Sequence, residues 1–134
     1  MTSVEEHKKS AKTLLNDISE KVRSGLVGER QKLIGFSASE ASCDLLALLL
    51  HKKNLITPGF NVNHRFFASE RTAREKLSFE FSQKTALVPL LVEQERYRNL
   101  LCYGREKSGK MAEDAIQNLA KIKEIVENAI GERL

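Results

Sequence analysis

The chain has 134 residues, 41% of them hydrophobic and 30% charged, with two prolines and seven glycines. That is the length of one ordinary domain; the apolar content excludes a disordered chain, and so few turn residues argue against a β-sandwich. Lys and Arg number 22 against 18 Asp and Glu, a formal net charge of +4, which suits an acidic partner such as RNA without requiring one.

The first helix is expected over Val4–Ser24. Ser3 and Glu6 match the capping box, in which a Ser at the N-cap and a Glu three residues on satisfy each other's backbone N–H groups. Ala11, Leu14, Leu15, Ile18 and Val22 then recur at helical spacing, and Gly25 and Gly28 mark the exit. His7 is expected in an exposed first turn. The second helix is expected over Glu29–Leu55, with Leu33, Ile34, Ala38 and Ala41 as its first stripe and Leu45–Leu50 apolar on every side. A helix apolar all round has neighbours all round, so this one belongs at the centre of the molecule or against a partner chain. Pro58-Gly59 signals the turn that follows.

A short third helix is expected over Asn63–Leu77, with Phe66, Phe67, Ala73 and Leu77 inward, and Phe79-Glu80-Phe81 as a connecting loop. The fourth, Ala86–Tyr103, should carry Pro89 in its first turn, because an interior proline loses a hydrogen bond and meets the carbonyl four residues back. The fifth, Lys110–Ile130, has the most regular stripe, from Ala112 to Ile130, with Ser108 as N-cap and Gly131 beyond its end. Short links between long helices favour antiparallel neighbours. The expected fold is therefore all-α: one domain over residues 1–134, an antiparallel up-and-down bundle of four long helices and one short one.

Two cysteines, Cys43 and Cys102, both inside apolar runs, are too few for a disulfide framework or an all-Cys zinc site. The charged stretch Met1–Lys9 lacks a signal-peptide pattern, and Leu45–Leu50, the longest unbroken apolar run, falls far short of the ~20 residues of a membrane span. A cytoplasmic protein with no membrane contact is the expectation.

Several constellations bear on chemistry. Gly104-Arg105-Glu106-Lys107-Ser108-Gly109-Lys110 has the spacing of a phosphate loop, but Met111 stands where Ser or Thr would hold magnesium, and a helix rather than a strand precedes it. It reads as a basic interhelical turn. His7, His51 and His64 are not paired at helical spacing, so no metal site is expected, nor any cofactor. Cys102 has Arg98 a turn before it and Arg105 just after, cations that lower a thiol pKa, yet a buried structural thiol is the simpler reading. Glu93 and Glu95 lie on opposite sides of their helix and make no acid–base pair by themselves. The densest polar segment is Glu93–Arg105. In it Arg98 and Cys102 share a face, as do Asn99 and Tyr103, and Arg, Asn and Tyr on adjacent ridges can offer a guanidinium, an amide and a phenol to one phosphate. The alternative is that Arg98 and Asn99 bond carboxylates and carbonyls within the bundle.

The stretch Ala38-Ser39-Glu40-Ala41 through Leu50 with the later His64-Arg65, the segment Arg98-Asn99-Leu100-Leu101-Cys102-Tyr103-Gly104, and the amphipathic last helix together resemble the HEPN superfamily of helical nucleotide-binding domains over about residues 5–130. The resemblance implies a homodimer whose motif helices line a shared cleft. It also implies either a metal-independent ribonuclease or a non-catalytic protein that binds a nucleotide, RNA or a partner such as a small nucleotidyltransferase. The family's nuclease motif places a His shortly after an Arg; counted from Arg96 or Arg98, this sequence offers Leu101, Cys102 or Tyr103 instead. A phenol with pKa near 10 shuttles protons poorly at neutral pH. The expectation is thus a non-catalytic homodimer binding through Arg96, Arg98, Asn99 and Tyr103. A ribonuclease using Arg98 with Tyr103 or His64 is one alternative, and an adaptor bundle without ligand is another.

Overall fold

The computed structural model describes residues 3–134. It is all-helical: α1 Val4–Arg23, α2 Gln31–Lys52, a 3-10 turn His64–Ala68, α3 Glu70–Lys76, α4 Lys84–Cys102 and α5 Gly109–Ile130. Four long helices form the bundle and the short α3 lies at its side, packed with the 3-10 turn against α4. α2 is central and meets α1, α4 and α5. Side-chain contacts fix the directions. His7 near the start of α1 bonds Asp44 in the second half of α2. Arg98 late in α4 reaches Ser39 and Glu40 in α2. Gln94 and Asn118 join α4 to α5. Sequence neighbours among the long helices therefore run antiparallel, as in an up-and-down bundle.

α2 takes this place because of its composition. Ile34, Ala38, Ala41 and every residue of Leu45–Leu50 have no exposed surface, and Ser37, Ser39 and Ser42 are buried with them. By length and mean hydropathy α2 would suit a membrane, but most of its apolar window is covered by the other helices. Gly35 lets α4 approach: a Cβ there would lie 2.8 Å from Leu101 Cβ. Near that crossing Gln31 ties two loops together, donating to the carbonyls of Gly28 and Lys107 at 2.9 and 2.8 Å and accepting from Lys107 N–H at 2.6 Å. The glycine-rich segment Gly104–Lys110 is thus a helix–helix connection pinned to the α1–α2 turn.

The boundaries depart from the sequence-based ones for local reasons. α1 has the expected capping box, with Ser3 Oγ accepting from Glu6 N–H at 3.1 Å and the Glu6 carboxylate accepting from Ser3 N–H at 2.8 Å. Its first turn is not exposed at His7, however, because that face packs on α2 and buries the imidazole. α2 stops at Lys52 rather than Leu55: Asn54 adopts φ +56°, and the N–H groups of Asn54 and Leu55 return to the carbonyls of His51 and Leu50. That is the Schellman arrangement, with Asn in the left-handed position. The expected third helix is two pieces. Ser69 is extended and its hydroxyl caps Thr72 N–H at 3.1 Å, ending the 3-10 turn and starting α3. α4 begins at Lys84, two residues early, so Pro89 lies inside the helix beyond its first turn, where it withholds a donor from Thr85. Ser108 is the N-cap residue of α5, although its side chain makes no capping bond.

Candidate ligand-binding site

An apolar seam between α2 and α4 is interrupted by a polar cluster. On α4, Glu95, Arg98 and Cys102 fall on one face, one turn apart, and that face is turned toward α2. On α2, Phe36, Ser39, Glu40 and Cys43 meet it, and the 3-10 turn adds His64 from the side.

Arg98 is only 9% exposed. Its Nη1 donates to Glu40 Oε2 at 2.8 Å and to Ser39 Oγ at 3.2 Å. Its guanidinium carbon lies 5.0 Å from the centre of the Phe36 ring, a cation–π distance. Its Nε is buried and has no hydrogen-bond partner. His64 Nδ1 meets both oxygens of Glu95, at 2.8 and 3.0 Å, and Glu95 is itself buried. A ring nitrogen held by a carboxylate is the protonated one in a neutral imidazole, so Nε2 carries the lone pair. Asn63 sets this histidine's place: its side-chain oxygen accepts from Arg65 N–H at 2.8 Å and starts the 3-10 turn. Burial pushes the Cys43 thiol well above the usual range, with Glu40, Asp44 and Glu95 adding to the shift and Arg98 opposing it. Burial also raises the Cys102 thiol, more than Arg98 and Lys32 lower it. Cys102 Sγ points to the Lys32 carbonyl at 3.4 Å. Neither thiol is an activated nucleophile.

The four residues expected to bind together are divided. Arg98 is at the centre of the cluster. Asn99 is exposed beside it on the solvent side of α4. Tyr103, 62% exposed, is the first residue past α4, in extended conformation. Arg96 belongs to another flank, where its Nε donates to the Glu93 carboxylate at 3.1 Å and its guanidinium lies 4.8 Å from the Tyr97 ring centre. That bond holds the Glu93 carboxyl below its ordinary value. Glu93 and Glu95 thus serve different partners, Arg96 and His64.

Sequence reasoning did not assign Phe36, Ser39, Glu40 or Glu95 to the site. The available signal was the Ser39-Glu40 pair inside an otherwise apolar helix, and Glu95 placed one turn before Arg98. A cleft of about 410 Å³ lies one turn further along both helices, lined by residues that include Arg30, Lys32, Leu33, Leu101 and Gly104. Leu33, 53% exposed, and Phe36, 46% exposed, leave an apolar strip between the cleft and Arg98, with Tyr103 on the α4 side of the same end. Among the described residues no three His, Cys, Asp or Glu side chains gather where a metal ion would sit. No protein-family profile, curated protein or solved structure matches the chain.

Proposed function

We propose that the chain is an HEPN-like homodimer that binds a phosphate group of RNA or a nucleotide at the Arg98 face of α4. The observation that carries this reading is the burial of Arg98 and Glu95, paired with the partly exposed Glu40 and His64, in a seam that packing alone would fill with apolar side chains. Buried ion pairs commonly contribute no more than well-packed hydrophobic residues of similar volume. A stable bundle therefore needs none of these four groups, whereas a phosphate site needs a fixed guanidinium with donors to spare. Arg98 has such a donor in Nη2, which neither Ser39 nor Glu40 engages. Asn99 adds an exposed amide beside it. The exposed Leu33, Phe36 and Tyr103 are the apolar groups a second copy would cover.

A second reading, metal-independent RNA cleavage, is favoured by one contact, that of His64 with Glu95. It orients an imidazole on a neighbouring element, supplying a group that α4 itself lacks. In that reaction Nε2 takes the ribose 2′-hydroxyl proton as the oxygen attacks phosphorus and the 5′-oxygen departs, with Arg98 facing the phosphoryl oxygens.

One experiment separates the readings: single-stranded RNA and a nucleoside triphosphate titrated in EDTA against the parent, Arg98→Ala and His64→Ala, with intact RNA assayed in parallel. Binding that weakens about tenfold or more in Arg98→Ala is expected, since a charge-assisted hydrogen bond is lost. Arg98→Ala that folds and binds like the parent overturns the site. Cleavage by the parent that disappears in His64→Ala establishes the second reading.

A further inference from the structure

We propose that Glu40 occupies the phosphate position on Arg98 and acts as a latch that an incoming phosphate displaces. This rests on the phosphate-binding reading above and adds how that site is regulated.

The geometry is that of a stand-in. A guanidinium meets a carboxylate or phosphate most strongly through two parallel N–H bonds. Glu40 takes only one of the nitrogens, Nη1 at 2.8 Å, a nitrogen that it shares with Ser39 Oγ. Glu40 leaves Nη2, the neighbour of Nη1 at the end of the fork, unengaged, so the pair is incomplete. The two partners also differ in freedom. The Glu40 side chain is 39% exposed, against 10% for that of Arg98. Glu40 can turn into water and regain its hydration. Arg98 cannot follow, because its guanidinium lies against Phe36 and is held by Ser39. The carboxylate is therefore the group that leaves. A phosphate arriving from the same side brings more acceptor oxygens and can engage Nη1 and Nη2, the parallel pair at the end of the fork, together. The ligand class is a phosphate carried either in a phosphodiester or at the terminus of a nucleotide.

The test uses the full chain with Glu40→Gln, Arg98→Ala and the double variant, titrated separately with a fluorescent single-stranded RNA and with a nucleoside triphosphate. Glu124→Gln, which removes an exposed carboxylate on α5, controls for net charge. Glu40→Gln is expected to bind about tenfold more tightly than the parent, because a negative charge at the position of the arriving phosphate is removed. The gain should be absent from the double variant and from Glu124→Gln. A gain for RNA alone assigns the phosphodiester, a gain for the triphosphate alone assigns the terminal phosphate, and a gain for both assigns the phosphate group they share. Unchanged or weaker binding by a folded Glu40→Gln overturns the latch; if the parent still binds through Arg98, the site itself stands. Binding by no variant overturns both. Should Glu40→Gln fail to fold, Glu40→Ala, which removes the carboxylate altogether, is expected to show the same gain, and its absence is equally decisive.

Discussion

At position 35 a single hydrogen separates two helices. A Cβ there would lie 2.8 Å from Leu101 Cβ, an atom fixed to the α4 backbone that cannot swing aside. Gly35→Ala therefore sets helix propensity, a gain of about 1 kcal/mol, against overpacking, a loss of about 1 to 3 kcal/mol. The contact is with a Cβ rather than the end of a flexible chain, so overpacking prevails, and a net loss of about 1 kcal/mol in urea unfolding is expected. A more stable Gly35→Ala would mean that α2 and α4 separate more easily than their packing implies. The same crossing explains why Arg98 was legible as a residue but not in its setting. Its type and its turn of helix were in the sequence, yet Ser39 and Glu40, about sixty positions away, complete its surroundings. Arg96 looked equivalent in the sequence and differs only in azimuth, which turns it to Glu93 and solvent.

Between elements, the α1–α2 contact contains a pair of histidines. His7 Nδ1 meets Asp44 Oδ1 at 2.9 Å, the His7 and His51 rings are 5.4 Å apart, and the Nε2 atoms of both are buried without partners. Around them lie Lys8 and Lys52, both paired with Glu132. Burial, and next the neighbouring His7, push the His51 pKa below its ordinary value. The folded form then takes up its proton less readily than the unfolded chain, whose histidine has a pKa of about 6.5. The stability contributed by neutral His51 is complete above that value and is lost as the pH falls through it. The urea midpoint is expected to drop between about pH 7 and pH 5, before the carboxylates titrate, and to drop less in His51→Gln. Equal slopes for the two proteins would remove His51 as the cause. The histidine pair was hidden in the sequence because forty-three residues separate its members; only the antiparallel packing of α1 on α2 joins them. By contrast, the capping box of α1 was legible because both its groups lie within four consecutive residues. The break at Ser69 was missed because the sequence reading weighed the apolar residues on either side above the Ser that interrupts them.

For the molecule as a whole, the proposed homodimer places Leu33, Phe36 and Tyr103 in its interface. These are large hydrophobic side chains left about half exposed or more at one end of the bundle. Sedimentation of the parent at micromolar concentration is expected to give the mass of two chains, and Leu33→Asp, which buries a charge in that contact, the mass of one. A parent that sediments as a single chain overturns the dimer. Leu33 is the position to change because it is not one of the groups assigned to phosphate.

The sequence by itself determined the fold class, the number of long helices and the central place of α2. Those properties follow from the period and width of apolar stripes, which one chain segment carries alone. Only the tertiary structure decided which polar groups meet. His64 with Glu95, Arg98 with Ser39 and Glu40, and His7 with Asp44 are each fixed by the rotation and register of one helix on another. Rotation and register depend on how side chains of two helices interlock, and on contacts as close as Gly35 against Leu101, so they belong to no single segment.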